Sequence, residues 1–267
     1  YGESFKRTLV NHLKESGFKN VSVCGNGRFD LHKKKYKPYY KEEIDSLNDA
    51  HGQYILFNGN FVAGNHYLGQ DYFRDEIQNN LEMTDDMKQQ FFQRMTEVRN
   101  NLIAFIELIK DIASVFTSKT IIVRPHPGEK LELYTSSLQS SPNVIITNEG
   151  MAAAWIIGSE VLIHQDCTTA IEAIFAEKPV ISYIPFEDRS QLFDLSINIS
   201  SIATNPSEVI EKLDAFLAGQ QYDLDMETNL MLNNEIVNRT KETPDILVDL
   251  VNKLTIDLVN NPQPRYF

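Results

Sequence analysis

From Gln53 onward, short runs of apolar, mostly β-branched residues alternate with longer stretches of helical periodicity. Few architectures accept such a chain. Strands that are apolar throughout need cover on both faces, and helices placed between successive strands join them in parallel. The expected fold class is therefore α/β, a Rossmann-like parallel sheet with helices on both faces. Strands are expected at 54–58, 120–124, 144–147, 161–164, 180–184 and 195–199. A polar, Asn-rich loop from Gly59 to Asn80 is too long for a plain connector. It leads into a helix from about Thr84 to Phe116, with a break expected near Arg94. Two later helices are expected at 206–217 and 245–259, the first with Asn205 as N-cap and Pro206 at its opening position.

The first fifty residues follow another pattern. Phe5, Leu9 and Leu13 lie four apart, which predicts a helix over 3–16 stopped by Gly17, and a short strand is expected at 20–24. Residues 25–40 have linker composition and lead into a helix ending near His51. A domain boundary is therefore expected near residue 50, with 1–50 as the remnant of a preceding domain plus linker. Residues 51–267 then form the sheet domain and its C-terminal helices. The chain opens on Tyr1 rather than Met, as expected of a fragment or processed product.

Charge and cysteine usage narrow the partners. Lys and Arg total 25 against 37 Asp and Glu, a net charge of −12, which excludes a generic electrostatic grip on nucleic acid or anionic lipid. Cys24 and Cys167 are far apart and lack metal-ligand spacing, which fits a reducing compartment. No apolar run reaches the roughly eighteen residues needed to cross a bilayer. The expected location is cytoplasmic, with at most peripheral association at the inner face of the membrane.

Open parallel sheets bind ligands outside the carboxyl ends of their strands, so the polar residues there are the candidates. The run 120–123 stops at Arg124-Pro125-His126-Pro127-Gly128. His126 there is a turn residue or a donor to a phosphate oxygen, stabilising a leaving group as charge develops. Arg124 does the same or braces the turn through a carboxylate. A second strand end, His164 to Ala173, carries Thr168 and Thr169 where a helix begins, with Glu172 one turn inside. Those hydroxyls suit a phosphate and Glu172 a ribose diol; the alternative is plain helix capping. At a third, Glu149 and Gly150 offer backbone groups to a base edge, or form an ordinary turn. Asn60 and Gly64 follow the first strand, where glycine lets the backbone approach a phosphate or sugar. No metal or organic cofactor is expected, since no paired His or Cys spacing occurs.

Gly25 to Asp30, Tyr54 to Phe61, Arg124 to Gly128, and Thr168 to Ala173 with Lys178-Pro179-Val180 occur in an order and spacing that is more specific than any one motif. Over residues 20–186 the chain thereby resembles bacterial surface-carbohydrate (capsule or lipopolysaccharide) biosynthesis proteins of the GT-B glycosyltransferase type. Their layout is related to capsule and teichoic-acid transferases and to UDP-GlcNAc 2-epimerases. The resemblance implies a C-terminal Rossmann-like domain that binds a nucleotide sugar. An N-terminal domain, mostly missing from this chain, would supply acceptor contacts and often the catalytic base. The His-Pro pair followed by a hydroxyl pair also resembles bacterial sialyltransferases and Kdo transferases, which implies a CMP-sugar donor, with a UDP-sugar as the other choice. The expected function is thus a metal-independent glycosyltransferase acting on a glycan or lipid-linked acceptor. A sugar-nucleotide epimerase of the same fold, or a non-catalytic nucleotide- or glycan-binding module, is the alternative. Gly27 stands where the family usually has proline.

Overall fold

The apolar runs become strands and pair in one sheet. The computed structural model describes residues 6, 7, 9–11, 21–187, 192, 194–236 and 241–260. It divides into two units, one of residues 34–223 and one of residues 1–33 with 224–267. The boundary expected near residue 50 falls inside the first of these.

In the 34–223 unit the strands are β1 (Tyr54–Asn58), β2 (Thr120–Arg124), β3 (Val144–Ile146), β4 (Val161–His164), β5 (Val180–Tyr183) and β6 (Ser201–Ala203). All pairings are parallel, in the order β3-β2-β1-β4-β5-β6. Central β1 sets Asn58 opposite Arg124 on β2 and Phe57 opposite Ile163 on β4. Strand order reverses between β1 and β4, so the crevice there is the sheet's topological switch point.

The helices of this unit are α1 (Lys41–His51), α2 (Gln70–Gln78), α3 (Asp85–Val115), α4 (Glu132–Leu138), α5 (Ala152–Gly158), α6 (Thr169–Phe175), α7 (Asp194–Asn198) and α8 (Pro206–Leu217). Because alternate strand residues point to opposite faces, Ile55, Phe57, Ile121, Val123, Ile163 and Ile181 share one buried layer. Leu102, Phe105, Ile109 and Ile112 of α3 and Val209 and Leu213 of α8 pack into it. On the other face Tyr54 donates its hydroxyl to the Trp155 carbonyl at 2.8 Å, and Ile44 of α1 packs with Ala154 and Ile157 of α5. Helices thus cover both faces, as expected.

Some expected elements differ. Residues 195–199 lie in or next to helix α7, and the sixth strand follows at 201–203. The alternation of Leu195, Ile197 and Ile199 suggested a strand, but Ser196 and Ile197 are buried in succession, and Ile199 N–H bonds the Leu195 carbonyl four residues back at 3.2 Å. The break expected near Arg94 is absent. No Gly or Pro interrupts 85–115, and Thr84 caps the helix by accepting from Met87 N–H at 3.3 Å. The loop expected over 59–80 contains α2. Gly64 presses on α3: a Cβ there would lie 2.6 Å from Arg99 N, so its lack of side chain serves helix packing rather than a ligand.

In the other unit residues 6, 7 and 9–11 are helical, while the rest of the helix expected over 3–16 lies outside the described residues. Residues 21–24 form no strand. A lone strand has no ladder to complete, and all six described strands belong to the one sheet of the other unit. A single helical turn, Gly27–Asp30, is capped by Asn26, which accepts from Arg28 N–H at 3.0 Å. Buried Asp30 pairs with Lys33 at 2.8 Å and accepts from Thr243 N–H at 2.8 Å. It thereby ties that turn to the start of the last described helix, Thr243–Asn260. Among the described residues no helix is long and apolar enough to cross a membrane.

Candidate functional site

Parallel strands deliver Asn60, His126, Glu149, Gly150, Thr168 and Thr169 to one carboxyl edge of the sheet. The β2 corner is braced rather than open. Arg124 donates to the Glu149 carbonyl at 2.5 Å, the Gly150 carbonyl at 3.3 Å and the Asn148 carbonyl at 3.4 Å. Its guanidinium carbon lies 5.2 Å from the centre of the Trp155 ring, and Trp155 Nε1 donates to the Glu149 carbonyl at 3.0 Å. Burial lowers the Arg124 pKa to about 10, with Tyr54 and Glu43 opposing the shift. Gly150 is at φ +70°, and a Cβ there would meet Glu43 Oε1 at 3.1 Å. The 148–150 turn is therefore shaped by Arg124, Trp155 and Glu43 together.

The organising group of this corner is one that sequence reasoning passed over. Glu129 is 3% exposed. Its Oε1 accepts from Phe61 N–H and His126 N–H, both at 3.0 Å, and its Oε2 accepts from the Tyr134 hydroxyl at 2.7 Å. One carboxylate thus fastens the loop after β1 to the turn after β2, an arrangement of charge-assisted bonds. Burial and the neighbouring Glu129 push the Tyr134 pKa well above its usual value. His126 itself is exposed, with Nδ1 accepting from Gly128 N–H at 3.0 Å. A neutral ring then carries its proton on Nε2.

At the β4 corner His164 is fully buried. Its Nδ1 accepts from Cys167 N–H at 3.1 Å and its Nε2 lies 2.9 Å from the Ser200 hydroxyl, which donates to the Ser196 carbonyl. Burial lowers its pKa to about 3, so this imidazole is a neutral structural pin. Thr168 is exposed and Thr169 half-buried at the start of α6, which is seven residues long. Burial pushes the Cys167 thiol up, with Thr169 hydrogen bonding opposing it. Glu172 is 1% exposed, and its charge contributes to raised pKa values at Cys167 and Tyr40. A carboxylate so deeply buried is closed to a ribose diol in this structure.

A cavity of about 580 Å³ opens between the corners of β1 and β4. Asn60 and Phe61 come from the first, Gln165 and Asp166 from the second, and Phe91 and Arg94 from the amino-terminal half of α3. Only Met95 is buried in that half of the helix, against seven residues from Leu102 onward, so its side chains are available to the cavity. The volume and the mixture of phenyl rings with a few amides and charges suit a small organic ligand. Of the sequence candidates only Asn60 lines it. Asn58 Oδ1, also at the end of β1, is buried without a hydrogen-bond partner among the described residues. No cluster of three or more His, Cys, Asp or Glu among the described residues is placed to hold a metal ion.

No family model and no curated protein matches the chain. Solved structures do. UDP-GlcNAc 2-epimerase from Methanocaldococcus jannaschii is similar at 14% identity and TM-score 0.54, over 92% of this chain and 60% of that one. The same enzyme in complex with UDP-GlcNAc and UDP aligns at 13% identity and TM-score 0.55, over 92% and 59% of the two chains. The wall teichoic acid polymerase TagF aligns at 11% identity and TM-score 0.49, over 96% and 58%. The chain has the α/β, Rossmann-like fold of the epimerase structures. It spans about 60% of their length.

Proposed function

We propose that the 34–223 unit binds a nucleotide-activated sugar, CMP- or UDP-linked, at the carboxyl edge of its sheet. It would serve as the donor-binding half of a metal-independent glycosyltransferase in bacterial surface polysaccharide biosynthesis. The observation that carries this reading is the 580 Å³ cavity at the switch point of a 3-2-1-4-5-6 parallel sheet, where folds of this class bind nucleotides. In this reading His126 Nε2–H and the hydroxyls of Thr168 and Thr169 face the donor phosphate, and Asn60 contacts the ligand from the cavity wall. Arg124 sets the 148–150 turn, so that Glu149 and Gly150 present backbone to the base, and Glu172 supports the corner from inside. As the bond from the anomeric carbon to the phosphate oxygen breaks, its electron pair stays on the phosphate, where fixed donors stabilise the charge. The acceptor, a glycan or lipid-linked sugar, approaches from the side open to solvent.

Calorimetric titration with CMP, UDP, a CMP-sugar and UDP-GlcNAc tests this. One nucleotide series should bind, and His126→Ala should weaken it about tenfold, a loss of about 1.4 kcal/mol. Absence of binding by every ligand sinks the proposal, and undiminished binding by the variant removes His126 from the site. NMR of UDP-GlcNAc incubated without acceptor separates the epimerase alternative, since appearance of the C2 epimer would replace the transferase reading.

A further inference from the structure

A second cavity, of about 360 Å³, is lined by Asn65, His66 and Gln70 from the loop after β1 and the start of α2, with Arg99 of α3 and Lys130 and Glu132 beyond the His126 corner. Three basic side chains meet there in a chain whose net charge is −12, and none of the three is in an ion pair among the described residues. The backbone beneath them is pinned. Asn65 Nδ2 donates to the Lys130 carbonyl at 2.8 Å while Lys130 N–H donates to the Asn65 carbonyl at 3.0 Å. Arg99 gives one N–H to the Gly64 carbonyl at 3.3 Å and has further donors in its fork. The His66 ring stacks on Phe73 at 4.4 Å and 9°, with Nδ1 accepting from Leu68 N–H at 3.4 Å, so the N–H of the neutral ring is on Nε2. Gln70 Nε2 is buried with no hydrogen-bond partner among the described residues. A buried amide nitrogen of that kind calls for an acceptor. The single carboxylate in the lining, Glu132, is on an exposed residue.

We propose that this cavity binds a phosphoryl group, held by Lys130 and Arg99 with Gln70 Nε2 and His66 as further donors. Its oxygens supply an acceptor to the buried amide and a counter-charge to two cations that have no ion-pair partner among the described residues. The inference does not rest on the nucleotide-sugar reading, because it uses neither His126 nor the larger cavity.

The test follows the His66 ring protons by NMR while inorganic phosphate is added at constant ionic strength, with chloride as the control. A saturable shift is expected. Lys130→Ala and Gln70→Leu should each weaken it about fivefold to tenfold, and Lys110→Ala, on the same long helix but outside the cavity, should leave it unchanged. A soluble sugar 1-phosphate and vesicles of phosphatidate in phosphatidylcholine distinguish a free ligand from a lipid headgroup. Saturation by the first or Lys130-dependent sedimentation with the second supports the site and assigns its source. No saturable shift with phosphate, or one that chloride reproduces or that Lys130→Ala and Gln70→Leu leave intact, overturns the proposal. Unchanged nucleotide affinity in Lys130→Ala keeps this result separate from that of the His126→Ala titration.

Discussion

The β2–β3 stretch of the sheet edge and the β1–β4 stretch are built from similar polar residues, yet they do opposite things. Over β2 and β3 the polar groups satisfy one another: Arg124 serves three carbonyls, and Glu129 serves two backbone N–H groups and a hydroxyl. Between β1 and β4 they line an open cavity. The difference teaches that a polar residue at a strand end identifies an edge, while the partners brought by other segments decide whether it is brace or binding group.

The largest blow to this contrast should come from Glu129. Glu129→Ala strands three donors in or near the core and should cost about 4 kcal/mol, with Glu129→Gln costing roughly half, read from urea unfolding. A cost under about 1 kcal/mol would mean that the two loops are held by something else. Next comes Gly64→Ala, whose methyl would strike the α3 backbone and should cost about 2 to 3 kcal/mol while disturbing the cavity wall. Wild-type thermal stability in that variant would break the packing argument.

His164 tests the β4 corner by pH. Its pKa falls from 6.5 when unfolded to about 3 when folded. Below pH 6.5 the unfolded chain therefore takes up a proton that the folded chain refuses. The stability it contributes is complete well above pH 6.5 and is lost as pH falls towards 3, with about 2 kcal/mol gone by pH 5. In His164→Gln that part of the slope should vanish; a slope identical to wild type would show that the ring is charged in place. Smallest should be Arg124→Met, at about 1 to 2 kcal/mol in unfolding. Trp155 and Glu43 still hold the 148–150 turn in that variant, so its nucleotide affinity should stay within about twofold of wild type if Arg124 is one brace among three, whereas a tenfold loss, about 1.4 kcal/mol, would put Arg124 on the ligand.

Legibility in the sequence followed how local each signal was. Five strands could be read because their residues are apolar and mostly β-branched, and the Asn205-Pro206 start of α8 because capping is decided within four residues. β6 escaped because Ser201-Ile202-Ala203 offers one bulky apolar residue and lies at the sheet edge. Glu129 escaped for a different reason. Its partner Phe61 is 68 residues away, and nothing around a Glu after His-Pro-Gly announces a buried carboxylate. Gly64 carried a signal, but ligand approach and helix packing ask the same thing of a glycine. Glu172 likewise read as one turn into a helix, and only the surrounding side chains put it inside.

The amino-acid sequence by itself determined the α/β class and the arrival of His126, Thr168 and Thr169 at one edge. Apolar runs and turn residues are local properties, and parallel pairing carries them all to the same side. Tertiary structure alone decided that Arg124 braces a turn, that Glu129 joins two loops, and where the cavities lie. Those outcomes depend on which distant donors and acceptors are buried together, because a buried polar group must be satisfied by whatever the fold brings to it.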